Sequence, residues 1–118
     1  MDVRVSSLRD APLVEVKGEI DHGTCEDLNA ALCTALDAGG QVVLIDLDQV
    51  GYIDSGGLSV LFSALKRLSP DGWLGLVRPN ANVRRLFELV GLCADPNVRI
   101  FEDRVTAEAA LVGRTGAA

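Results

Sequence analysis

The stretch Val42–Leu68, VVLIDLDQVGYIDSGGLSVLFSALKRL, decides how this chain is read. It opens on an unbroken apolar run, Val42 to Ile45. Such a run fits a strand covered on both faces, as in a parallel sheet. It closes on Leu58, Leu61, Phe62, Leu65 and Leu68, which keep helical spacing. Between them, Asp46–Ser55 reads as an acidic loop that delivers Ser55 to the first turn of the helix. Gly56 and Gly57 follow directly, so the backbone can turn tightly and another molecule can come close. Ser55 is expected at or near the N-cap of a helix beginning around Gly56, where a serine contributes about 1 kcal/mol. Asp54 would complement the helix dipole. A hydroxyl in that place is exposed beside free backbone N–H groups and can take a phosphate. Ser55 is therefore the best candidate for a chemical switch.

Outward from this stretch, strands and helices alternate. Val3 and Val5 alternate with Arg4 and Ser6, and Leu13 to Lys17 gives a second strand with Val14 and Val16 on one face. In GEIDHGTCEDLNAALCTAL, Thr24 and Asp27 have the spacing of a capping box. Cys25, Leu28, Leu32, Ala35 and Leu36 fall on one helical face, and Gly39–Gly40 end that helix. Trp73 to Val77 is a further strand. Asn80 or Asn82 caps a helix carrying Val83, Leu86, Phe87 and Val90, closed by Gly91. Val98 to Phe101 is a short strand, and Asp103 caps a last helix through Val112. The fold class is α/β: a mixed, largely parallel sheet of 4–5 strands with about four helices. Residues 1–112 form a single domain and 113–118 a flexible tail. In such sheets partners meet the loops at the carboxyl ends of strands. Those loops are Gly18–Thr24, Asp46–Ser55 and Arg78–Asn82, the first two being expected neighbours.

Bulk properties narrow the function. The chain has 118 residues, a common domain size, and about half of them are apolar, enough for a real core. Its net charge of −6 argues against nucleic acid, whose phosphates call for clustered Lys and Arg. No apolar run approaches the roughly 18 residues of a membrane span, and MDVRVSSLRD lacks the marks of a signal peptide. Cys25, Cys33 and Cys93 are widely spaced, with no metal-ligand pattern. Reduced, mostly buried thiols in a cytoplasm are the simpler account. No cofactor and no metal are expected.

The same residues bear on catalysis. Strand, turn, serine and helix make the geometry of a nucleophile elbow, but G-x-S-x-G lacks its first glycine in Ile53-Asp54-Ser55-Gly56-Gly57. The only imidazole is His22; a Ser55–His22 pair with Asp21 or Asp54 is the hydrolase alternative. Otherwise His22 is a solvated loop residue or an interface donor. Tyr52 is either core or, if exposed beside Ser55, an interface anchor.

Gly18-Glu19-Ile20-Asp21 with Thr24 and Leu28, then Val43–Asp46, Val50 and Ile53-Asp54-Ser55-Gly56-Gly57-Leu58, then Val83–Leu92 resemble, in order and spacing, the motifs of the STAS domain. The stand-alone bacterial members are anti-sigma factor antagonists. The resemblance implies a non-enzymatic protein whose unmodified form binds an anti-sigma factor and frees the sigma factor. That anti-sigma factor is often the serine kinase that inactivates the antagonist, and a phosphatase reverses the mark. The phosphoacceptor falls on Ser55, the motif aspartate on Asp54 and the partner-facing aspartate on Asp21. Gly56 stands where many relatives carry a second hydroxyl residue. The expected partner surface is Asp21, His22, Thr24, Tyr52, Asp54, Ser55, Gly56 and Gly57. The alternative is a STAS interaction subunit of another assembly, such as a lipid-transport complex or a signalling scaffold.

Overall fold

The computed structural model describes residues 2–38, 41–68 and 71–116, the last four as backbone. Two antiparallel strands, β1 (Asp2–Leu8) and β2 (Ala11–Ile20), open the chain. They are joined at Arg9–Asp10, where Arg9 takes a left-handed conformation (φ 54°). Three parallel strands follow: β3 (Val42–Ile53), β4 (Trp73–Val77) and β5 (Val98–Phe101). The sheet order is β1-β2-β3-β4-β5. The helices are α1 (Cys25–Asp37), α2 (Ser55–Leu68), α3 (Ala81–Leu89) and α4 (Arg104–Gly116), with a short 3₁₀ turn at Leu92–Ala94.

Sequential strand order has a direct consequence. Right-handed crossovers that always step the same way put every crossover helix on one face of the sheet. The larger core lies there: Leu28 and Leu32 of α1, Leu61 and Leu65 of α2, and Val83 and Phe87 of α3 pack on Val14, Val43, Ile45 and Leu76. The opposite face falls to α4, whose Ala107 and Leu111 cover Leu13, Leu44, Trp73, Val77 and Phe101. Hence Val42 to Ile45 is apolar throughout: Val43 and Ile45 serve one core, Val42 and Leu44 the other. Arg104 anchors the start of α4 through Asp46 (2.6 Å) and Glu15 (3.0 Å).

The central strands are longer than the sequence pattern indicates. β4 pairs with β3 only over Val42–Asp46, whereas β2 pairs with it as far as Ile20 and Ile53. Much of the expected loops Gly18–Thr24 and Asp46–Ser55 is thus strand. Two register shifts, between Glu15 and Lys17 and between Gly18 and Glu19, let this pairing run on, with Gly18 at φ 106°. Irregular pairing breaks the period-two pattern, so polar Asp48 and Gln49 read as loop. The projecting β2–β3 pair carries the ends of both strands away from the body of the sheet.

Other details differ from expectation. Phe62 and Val90, placed by spacing on apolar helix stripes, are exposed; small Gly57 and Ala64 lie on the buried face of α2 instead. The three cysteines are free and only half-buried. Gly39–Gly40 lie outside the described residues. α4 runs past Val112 to Gly116, and residues 117–118 of the expected tail are likewise outside the description. Asn80, not Asn82, caps α3, accepting the Val83 N–H at 2.8 Å. Asp103 caps α4 as expected, accepting the Thr106 N–H at 2.8 Å. Among the described residues, no helix is long and apolar enough to cross a membrane.

Phe87 is fully buried and ties α3 to the larger core. Phe87→Ala is expected to lower stability by about 3–5 kcal/mol, read as a fall in the urea midpoint with the urea dependence unchanged.

Candidate functional site

The site sits where β2 and β3 end side by side. The Asp54 N–H donates to the Ile20 carbonyl at 2.9 Å, continuing the strand pairing by one bond. The Asp54 carbonyl then accepts the Leu58 N–H at 3.0 Å, the first bond of α2. Its Oδ1 accepts the N–H groups of Gly56 (2.8 Å) and Gly57 (3.1 Å). Asp54 is therefore the N-cap, and Ser55 is the first helical residue. This corrects the expectation that serine caps the helix. An aspartate satisfies the same orphan amides and adds charge at the positive end of the dipole.

The other oxygen of Asp54 crosses to the neighbouring loop. Its Oδ2 accepts the His22 N–H at 3.1 Å and lies 2.8 Å from His22 Nδ1. A carboxylate can only accept, so Nδ1 carries the proton. This hydrogen bond is the main reason that the Asp54 carboxyl is held below its ordinary value of 3.8; the Gly57 and Gly56 amides add to it, against partial desolvation. The loops are thus neighbours, as expected, and one carboxylate joins them.

The His22 loop is also fastened internally. Asp21 Oδ1 accepts the N–H groups of Gly23 (2.9 Å) and Thr24 (3.1 Å). The Thr24 hydroxyl accepts the Asp21 N–H at 2.9 Å and donates to the Glu19 carbonyl at 3.0 Å. Thr24 precedes α1 but makes no side-chain bond to its amides, so the expected capping box does not form. Its hydroxyl holds the loop to the strand end instead. The third loop joins through Asn80, whose Nδ2 donates to the Val50 carbonyl at 3.2 Å.

Ser55 is exposed, and its hydroxyl makes no hydrogen bond among the described residues. The amides of Gly56 and Gly57, expected to be free beside it, are taken by Asp54. Tyr52 is 53% exposed, which settles it as surface rather than core. Gly56 is partly covered, near Cys25 and His22. Gly57 is buried: a Cβ there would lie 2.5 Å from Ile20 and 2.6 Å from Ile53, so glycine lets α2 seat on the strand ends. The structure gathers the sequence-derived residues at one end of the molecule. It pairs His22 with Asp54 and places no hydrogen bond between His22 and Ser55, the contact that the hydrolase alternative requires. Of the two carboxylates offered to His22 in the hydrolase alternative, Asp54 is the one that it meets, whereas the Asn80 clamp has no signal in the sequence pattern.

Known proteins resemble this chain in sequence and in fold. The family model described as Mlab, STAS domain, matches residues 3–98. The anti-sigma-B factor antagonist of Staphylococcus aureus is 34% identical over 80 residues, covering 67% of this chain and 74% of the relative. An anti-sigma factor antagonist from Mycobacterium paratuberculosis superposes with a TM-score of 0.78 at 26% identity, over 92% of this chain and 93% of that one. SpoIIAA of Bacillus, solved in its unphosphorylated form, superposes with a TM-score of 0.72 over 98% and 99% of the two chains. At 19% identity, that last likeness speaks to the fold alone.

Two substitutions test the local physics. Gly57→Ala is expected to destabilise by about 1–3 kcal/mol through overpacking, read in urea unfolding. Asp54 titrates lower when folded than when unfolded, so its stabilisation is present above pH 3.8 and fades as pH falls below that value. In Asp54→Asn, stability measured between about pH 5 and pH 2 should lose part of its acid dependence, while amide exchange at Gly56 and Gly57 stays slow because asparagine also caps.

Proposed function

The chain belongs to the STAS domain family, and from that premise we propose that it is an anti-sigma factor antagonist, switched by phosphorylation of Ser55. The unmodified protein binds an anti-sigma factor in the cytoplasm and so releases a sigma factor. Docking uses the joined loops: Asp21, His22, Thr24, Tyr52, Asp54, Ser55 and Gly56, with Gly57 holding the helix beneath them. The anti-sigma factor is itself the serine kinase; it transfers the γ-phosphoryl group of ATP to Ser55 Oγ. A phosphatase hydrolyses the ester and restores binding. No catalytic step is asked of this chain.

One observation carries the reading: Ser55 is an exposed, unbonded hydroxyl beside a carboxylate that already fills the helix N-terminus. A phosphate there adds roughly −1.5 to −2 charges. The usual welcome for an anion at a helix start rests on free amides. At α2 two of those amides are bonded to Asp54, and Asp21 stands in the adjoining loop. The fold survives because the modification faces solvent. A partner that covers it, however, must bury an uncompensated dianion, at a cost of several kcal/mol. Each 1.4 kcal/mol or so is tenfold in affinity, so the mark abolishes docking without unfolding anything. Gly56 offers no second acceptor, and control rests on Ser55 alone.

The test is binding to purified serine-kinase anti-sigma factors from the same genome. Ser55→Ala should bind one of them like the wild type and take no phosphate from ATP. Ser55→Asp should bind it at least about tenfold more weakly. Equal affinity of the two variants would overturn the switch. Labelling of Ser55 by a fluorophosphonate would overturn the non-catalytic reading.

A further inference from the structure

Beside the switch lies a second surface. The end of β3 and the outer side of α3 enclose a groove of about 240 Å³. Its walls are Tyr52 and Ile53 from the strand, and Val83, Leu86 and Leu89 from the helix. Leu89 is 77% exposed and Tyr52 is half-exposed, so the groove presents large apolar groups to water. Next to it, β3 is unpaired on one side, because β4 stops at the level of Asp46. Small-molecule pockets begin near 300 Å³ and enclose most of their ligand. A smaller, open groove suits one or two side chains of a macromolecular partner.

Charge identifies that partner. Arg85 is the one charged residue on the groove's wall. Among arginines whose side chains are described, all but Arg84 and Arg85 are in an ion pair or over an aromatic ring. Arg84 and Glu88 both act on Cys93, towards the 3₁₀ turn. An unpaired guanidinium beside an apolar trough, on a chain of net charge −6, is a local exception to an acidic surface. It complements a carboxylate next to an apolar side chain.

We infer that this groove receives a segment of the anti-sigma factor that carries an apolar anchor flanked by acidic residues. The inference rests on the function proposed above. The groove is continuous with the switch, since Tyr52 and Ile53 lead directly into Asp54 and Ser55. The chemistry also sharpens the switch. An acidic segment seated against Arg85 brings its own negative charge towards the phosphate site, so phosphorylation repels the same partner twice, by blocking the loop and by opposing the segment. Arg85 supplies orientation and encounter rate; Tyr52 and Leu89 supply the buried apolar contact.

The experiment uses the full chain and the anti-sigma kinase that the wild type binds, with Leu89→Ser, Arg85→Glu and Ser55→Asp compared. Leu89 and Arg85 are exposed, so the thermal midpoints of their variants should match the wild type and serve as the folding control. Leu89→Ser is expected to weaken binding about tenfold or more. Arg85→Glu should do the same at low salt, with the deficit shrinking as salt rises. Groove variants that bind like the wild type while Ser55→Asp fails would overturn the groove and leave the function standing. A wild-type chain that binds none of the kinases would overturn the function, and the groove with it. A dimer of the chain alone that Leu89→Ser dissolves would assign the groove to a second copy and overturn the present inference.

Discussion

One carboxylate holds the candidate functional end of this molecule together. Asp54 takes four roles: its backbone extends the β2–β3 pairing, its carbonyl starts α2, one oxygen caps that helix and the other grips the His22 loop. Each bond is modest alone, on the order of 1 kcal/mol for a neutral pair and more with a charged acceptor. Their importance is geometric. Four constraints on one residue fix the position of the next, so Ser55 is presented by a rigid frame. The low pKa of Asp54 has the same origin: a carboxylate surrounded by donors resists protonation.

That frame needs a sheet that projects. β3 is fully buried over its first residues because helices cover both of its faces. Past Asp46 it loses β4 and keeps only β2. The pair stays ordered because Val50 and Ile53 still point into the larger core and because Asn80 takes up a strand carbonyl. Glycine is required twice along this path, at the left-handed Gly18 and at Gly57, where no side chain would fit. Both glycines lie within the stretches that resemble the family's motifs, and here they have mechanical causes.

The sequence made the repeating parts legible. Val42–Ile45 and Trp73–Val77 are short runs buried on both faces, the α1 face of Leu28, Leu32 and Leu36 follows the helical period, and the order of elements followed from them. What escaped was what has no period. Bulged pairing hid the larger part of β3, Asp46–Ile53, behind Asp48 and Gln49. The exposed Phe62 sits at helical spacing with its buried neighbours, so periodicity could not separate it from them. Within the site, residue types were readable but their partners were not: Ser and Asp both make good caps, and only the three-dimensional path shows that Asp54 does the capping and leaves Ser55 free. His22 reached Asp54 across 32 residues of chain, a contact that no local pattern encodes.

That division of labour bears on how such a switch works. If Ser55 were the cap, its modification would disturb the helix start, and loss of binding would follow from a change of shape. With Asp54 as the cap, the hydroxyl can be esterified while every described bond of the frame remains. The signal is then electrostatic and local, and it depends on a partner covering the site. In the proposed switch, fold and signal are uncoupled, because marking and unmarking Ser55 would leave the bonds of the frame in place. The same uncoupling places the burden of discrimination on what surrounds the serine: carboxylates on one side, and on the other an apolar trough with a single guanidinium. In the inferred complex, the segment seated in the trough brings an apolar contact and a negative charge, and a new phosphate close by repels that charge.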